Sequence, residues 1–182
     1  MMIKVRPLCM ALVCSALLSG CYQSTTPLIA AGTSDFPFGA RTRYTAFEWD
    51  ADMKQWEMSE PGSTSRDGDH YVQLADGSSP ADATPFTLKS IGGGFYIGQE
   101  EADSRYVYDL LKIDGDTVYE YALSCDDESG QPFVMQGLID SITTEGVLGK
   151  ICTVSSFDKL ARVFRTIQEQ RQPKAKFVIQ RP

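Results

Sequence analysis

The chain has one histidine, His70. Zinc sites and facial-triad iron sites normally draw on several, so neither can be assembled here in its usual form. A Ser–His or Cys–His nucleophile pair would have to be built on that one residue. Long apolar runs are also missing: after Leu18 no segment approaches the about 20 residues that a spanning helix needs. Positive charge is in deficit, with a formal net charge of −7, and this argues against general nucleic-acid binding. Internal repeats and low-complexity segments are absent, which excludes solenoid and fibrous architectures.

The first residues carry the most specific pattern. Lys4 and Arg6 precede an apolar run from Leu8 to Leu18, and Leu18-Ser19-Gly20-Cys21 follows. A cationic start, a short apolar stretch and small residues are the layout of an export signal. In its final four residues the segment resembles a bacterial lipoprotein precursor, whose lipobox places a Leu and two small residues before a cysteine. The resemblance covers about the first 21 residues. It implies cleavage before Cys21, a diacylglycerol on its thiol, and no Asp at the next position to retain the protein in the inner membrane, since Tyr22 and Gln23 follow. The expected location is the inner leaflet of the outer membrane, facing the periplasm, with two or three acyl chains supplying stable anchoring.

Loss of residues 1–20 removes Lys4 and Arg6 and takes the charge to −9. The remaining chain is long enough for one domain burying on the order of 70% of its unfolded surface. Its charge is uneven: from Phe157 onward the balance is +5, so residues 21–156 carry −14. Cys9 and Cys14 leave with the signal and Cys21 takes lipid, leaving Cys125 and Cys152 as an expected disulfide in an oxidising compartment. Two buried thiols, or a nucleophile paired with His70, are the rival readings.

Residues 22–40 are rich in Ser, Thr, Pro, Gly and Ala and read as a tether of about 25 Å reach, ending where Phe36-Pro37-Phe38 packs on the domain. From Arg41 the two-residue period of a β protein takes over. Strands are expected at 41–49, 54–58, 70–74, 86–91, 95–99, 106–113, 117–125, 133–138, 142–144, 147–154 and 176–180, with loops at 61–69, 75–85 and 126–132. Gly92-Gly93-Gly94 and Asp114-Gly115-Asp116 mark hairpins. In the second, a two-residue turn at Asp114-Gly115 would set Asp109 opposite Glu120, an unfavourable like-charge pair, and a three-residue loop ending at Gly115 would avoid it. One helix is expected, with Phe157, Leu160, Ala161, Phe164 and Ile167 on one face and Ser155 as its cap.

Patterns that could carry chemistry are weak. Ser156-Phe157-Asp158-Lys159 matches S-x-x-K, but S-D-N and K-T-G are absent. Asp67-Gly68-Asp69-His70 offers three ligands that could hold a divalent metal but reads first as a turn leading into a strand, and neither it nor Asp114-Gly115-Asp116 nor Asp126-Asp127-Glu128 has the spacing of a calcium loop. Gly92-Gly93-Gly94 opens no helix that could cradle a phosphate. Glu100 and Glu101 nominate no acid/base pair. Two features have more content. Tyr106, Tyr108, Tyr119 and Tyr121 form a tyrosine-rich hairpin that is a candidate binding surface, or the ordinary half-buried face of a sheet. Lys159, Arg162 and Arg165 are candidate contacts for an anionic partner, or the polar face of a helix docked on the acidic body.

The sequence therefore predicts a mainly β, antiparallel, barrel-like meander with one C-terminal helix and a closing strand, over residues 41–182. Strands, a helix and a last strand are also the order of lipocalins, although Phe47-Glu48-Trp49 lacks the glycine of their G-x-W motif. The expected function is a lipid-anchored, non-enzymatic envelope module for an unknown envelope protein or polymer, with no cofactor and no metal. The alternatives are a lipocalin-like carrier of a small apolar ligand and, on the S-x-x-K match alone, an envelope hydrolase.

Overall fold

The computed structural model describes residues 21–121, 123–125, 127–145, 149–167 and 172–180. Among these residues one sheet holds strands β1 (Tyr22–Ser24), β2 (Arg41–Asp50), β3 (Gln55–Asp67), β4 (His70–Ala75), β5 (Thr84–Gly92), β6 (Phe95–Ala102), β7 (Arg105–Asp114), β8 (Thr117–Tyr121), β9 (Ser141–Glu145), β10 (Gly149–Thr153) and β11 (Pro173–Gln180). Two helices, α1 (Asp127–Met135) and α2 (Phe157–Ile167), accompany them. Strands β2 to β8 form an antiparallel meander, β11 pairs with both β8 and β2, and all eight close into a barrel. Closure leaves these strands no free edge.

Local chemistry sets the hairpins. Gly93 and Gly94, with φ of +64° and +79°, turn β5 into β6. The β7–β8 turn is Gly115-Asp116, with Asp114 facing Thr117, so the register differs from both sequence alternatives. Glu120 consequently lies opposite Leu111, and Asp109 lies opposite Gly98 of β6. The two acids are diagonal neighbours on one face of the sheet.

Four expectations about segments are corrected. Residues 22–40 are not a free tether: Tyr22 has no exposed surface, and β1 lies between β7 and β10. Ile29 is buried too, its amide donating to Gln99 Oε1 at 2.8 Å. An isolated reading of composition could not see partners this far along the chain. Phe36 and Phe38 do pack on the domain, against Tyr71, with ring centroids 5.3 and 5.4 Å away. Residues 61–67 belong to β3 rather than a loop. Gly62 permits this, because a Cβ there would lie 2.7 Å from Tyr44 Cζ, and a bulge between Thr45 and Phe47 absorbs the register shift around Pro61. Finally, 127–135 form α1 where a loop and a strand were expected, so there are two α-helices among the described residues. Gly130 lets α1 approach β9 and β10, since a Cβ there would meet Ile142 Cδ1 at 2.8 Å. Strand β8 ends at Tyr121 rather than at residue 125; Ala122, Asp126 and residues 146–148 lie outside the described set.

The principal apolar cluster lies outside the barrel. Leu110, Tyr108, Ile97 and Tyr121 project outward from the wall. They pack with Tyr22, Leu123, Phe133, Ile139 and Val154, and with the α2 stripe Leu160, Ala161, Val163, Phe164 and Ile167. Phe164 meets Tyr22 edge-on at 5.1 Å. Burial of such side chains contributes roughly 1.5–3 kcal/mol each, so this outer layer supplies much of the stability. Cys125 and Cys152 lie in it as a disulfide, their Cα atoms 5.7 Å apart. The inner face of the wall is thereby freed from forming the main core.

Candidate functional site

The inner face carries a buried charge cluster. Asp109 of β7 and Glu120 of β8 are 2% and 3% exposed, in strands whose outward positions are Tyr108, Leu110 and Tyr121. Lys174 reaches them from β11. It is the extra residue of a bulge, because Pro173 pairs with Tyr121 and Ala175 with Glu120 while Lys174 has no β8 partner. A bulge re-aims a side chain, and here Lys174 Nζ comes to 2.7 Å from Glu120 Oε1 and 3.7 Å from Asp109 Oδ1. Asp109 Oδ2 has no hydrogen-bond partner among the described residues. Glu100 of β6 completes the group on the same inner face, two residues beyond Gly98.

Three carboxyls and one ammonium in a low-dielectric space shift each other's protonation. Burial pushes the Asp109 carboxyl well above the usual range, and the charges of Glu120 and Glu100 add to this against the opposing pull of Lys174. Glu120 is also raised by burial, with Lys174 opposing. Glu100 is pushed up from 4.5 to about 7, by burial first and Glu120 second. Burial works to lower Lys174, but its two carboxylate neighbours outweigh that and its net shift is upward.

These charges border a cavity of about 90 Å³ inside the barrel. Its walls are mostly apolar, with Phe38, Phe86, Leu88, Leu111 and Phe177 prominent, and Glu100, Asp109 and Glu120 supply the charged wall. Gln73 Nε2 donates to Tyr44 Oη at 2.8 Å on another part of the lining. Gly98, opposite Asp109, lets the Leu111 and Leu88 side chains close over the strand, since a Cβ there would sit 3.0 Å from Leu111 Cδ1 and 3.7 Å from Leu88 Cδ2.

The Glu100 shift has a measurable sign. Its folded value lies above the unfolded one, so the fold holds this proton and loses stability as pH rises from about 4.5 through about 7. The Glu100→Gln variant should therefore be more stable than the wild type at pH 8, with the gain shrinking toward pH 5. Because Glu100 is only partly buried, solvent screening reduces the effect to on the order of 1 kcal/mol, or about 2–4 °C in melting temperature for a domain of this size. Melting curves of both proteins across that range check this, and a pH-independent difference would sink it.

The residues singled out from sequence are placed differently. Tyr108 is fully buried, its hydroxyl 2.6 Å from Ser24 Oγ and accepting from the Leu28 amide at 3.1 Å. Tyr121 is buried as well, while Tyr106 and Tyr119 are half-buried, so the four tyrosines line the outer core rather than forming a free surface. Lys159 lies 3.5 Å from Asp140 Oδ1, and Arg165 donates to the Ile91 carbonyl at 3.0 and 2.8 Å, which ties α2 to the barrel wall; Arg162 is exposed. Ser156 accepts from the Leu160 amide through its carbonyl at the start of α2. Asp67-Gly68-Asp69-His70 is the β3–β4 turn, with Asp67 paired to His70. Cys21 packs against the outer core, and its carbonyl accepts from the Cys152 amide at 2.7 Å.

Sequence reasoning passed over Glu100, Asp109, Glu120 and Lys174 as a group. A signal was present: Asp109 and Glu120 interrupt strands that are apolar or aromatic on both faces, and such a charge must be solvated by something inside. The bulge that brings Lys174 there has no comparable signature. No family model, no curated protein and no solved structure matches this chain, so the barrel and the chemistry of its interior carry the functional reading alone.

Proposed function

We propose that this chain is a lipid-anchored cell-envelope protein whose barrel binds a small ligand in its interior. The observation that carries the binding half of this reading is the division of the wall: the main core packs outside it, while the inside holds a cavity with apolar walls and an ionisable side. Small-molecule sites combine a mostly apolar lining with a few fixed polar groups. A cavity of about 90 Å³ suits a compact ligand of a few heavy atoms. The carrier reading is thus preferred over a catalytic one, for which the S-x-x-K segment offers only a helix start.

The anchoring half rests on the order of Lys4, Arg6, the apolar run and Leu18-Ser19-Gly20-Cys21. In cells, a Cys21→Ala variant should lose the lipid and leave the membrane fraction; tight membrane association of a processed Cys21→Ala protein would overturn the anchor. For the binding half, mass spectrometry of the purified full-length protein should release a reproducible small molecule, lost when Leu111→Trp fills the cavity. The same yield of that molecule from Leu111→Trp, or none from the wild type, would overturn the carrier reading.

A further inference from the structure

The inner charge cluster is short of cations. Facing the cavity and its border are Glu100 from β6, Asp109 from β7, Glu120 from β8 and Lys174 from β11. Tyr44 from β2 also faces it, but burial lifts its phenol further from neutral pH, so it stays uncharged. Thr64, Gln73, Thr84, Phe86 and Leu88 from β3, β4 and β5 line the remainder and do not ionise in this range. Lys174 is engaged at Glu120, 2.7 Å away, and lies a full ångström further from Asp109. Asp109 lines the cavity, and its Oδ2 atom is buried without a hydrogen-bond partner among the described residues. A buried acceptor in that state costs free energy that a donor in the cavity would recover. Opposite Asp109, Gly98 presents no side chain of its own, and the Leu111 and Leu88 methyl groups reach into that position, giving the apolar surface beside the carboxylate.

We infer that the cavity takes a small monocationic amine, its ammonium docking on Asp109 beside Glu100 and its short apolar body lying against Phe86, Leu88 and Leu111. The inference rests on the carrier reading and names its ligand class. An ammonium fits better than a metal ion, because no group of three metal-ligating side chains is gathered among the described residues and most of the lining is apolar. A neutral alcohol of the same shape could donate to Asp109 Oδ2 but would leave the excess negative charge uncompensated, and charge-assisted hydrogen bonds are about twice as strong as neutral ones. Amine uptake also displaces a proton from the cluster, since the carboxyls are protonated more readily than free ones. Affinity for the amine should therefore rise with pH between about 5.5 and 8, whereas affinity for the alcohol should not.

The probes are n-butylammonium and 1-butanol, titrated into the purified full-length protein and followed by NMR at the amides of Gly98, Asp109 and Leu111. The expected result is that butylammonium binds at least about 10-fold more tightly than butanol at pH 8. That preference should shrink toward pH 5.5 and vanish in Asp109→Asn. Should Asp109→Asn fail to fold, Glu100→Gln serves instead: it should reduce both the preference and its pH dependence. Equal binding of the two probes, or a preference that survives both variants and does not vary with pH, overturns the amine class while leaving the carrier reading standing. Binding of neither probe overturns the amine class too, and the carrier reading is then judged by the co-purified molecule and its loss in Leu111→Trp.

Discussion

Replacing Lys174 by Met should cost about 3–5 kcal/mol of stability near pH 8, the range for stripping one partner from a buried ion pair. The reason is the company Lys174 leaves behind. Asp109 and Glu120 are almost wholly buried, and no other cation among the described residues reaches either of them. The cost is for stranding carboxylates rather than for losing attraction, and this makes two further results follow. Neutralising both acids in the same protein, as Lys174→Met with Asp109→Asn and Glu120→Gln, should return most of the loss, because a neutral triad carries no unpaired charge. Lowering the pH should have a similar effect in the single variant, since both carboxyls already lie above their usual values and take up protons readily. The check is urea unfolding of the single and triple variants at pH 5 and pH 8. If the single variant loses less than about 1 kcal/mol at pH 8, the pair contributes no more than an exposed salt bridge does, and Lys174 is not the counter-ion described.

Removal of the disulfide has the second largest effect. Cys125 and Cys152 are 27 residues apart and both fully buried. Closing a loop of that size stabilises by roughly 3–4 kcal/mol through the unfolded chain, and Cys125→Ser with Cys152→Ser should lose about that much. The loss should not be spread evenly. The bridge spans the segment holding α1, β9 and β10, which attaches to the barrel through β1 alone in the sheet order. Amide exchange in α1, β9 and β10 should accelerate before that in β3 to β6, which belong to the closed barrel. Uniform acceleration through both regions would show that the disulfide stabilises one undivided unit instead.

Much of the wall was legible because alternation and turn chemistry are local. Gly92-Gly93-Gly94, the hairpin at Asp114-Gly115-Asp116 and the α2 stripe ending at Ile167 each announce themselves within a few residues. What escaped depends on distant partners. Tyr22 joins the sheet only because Tyr108 and Cys152 stand on either side of it. Gly62 allows β3 to continue only because the Tyr44 ring lies beneath it. The tyrosines on β7 and β8 share one face through the observed register, and that face is covered by β1 and α2. Glu100 looked like one acid among many, and its significance comes from Asp109 and Glu120 on the next two strands. Lys174, set before the expected closing strand, became part of the interior through a one-residue bulge that no pattern of residue types reveals.

The placement of β1 has a mechanical meaning. Its three residues pair antiparallel with β7 and parallel with β10, and Cys21 directly precedes them. A load applied at Cys21 along the strand is therefore borne in shear by two ladders at once, with no slack to take up first. One of those ladders ends on Cys152, so the force path runs straight into the covalent bridge to Cys125.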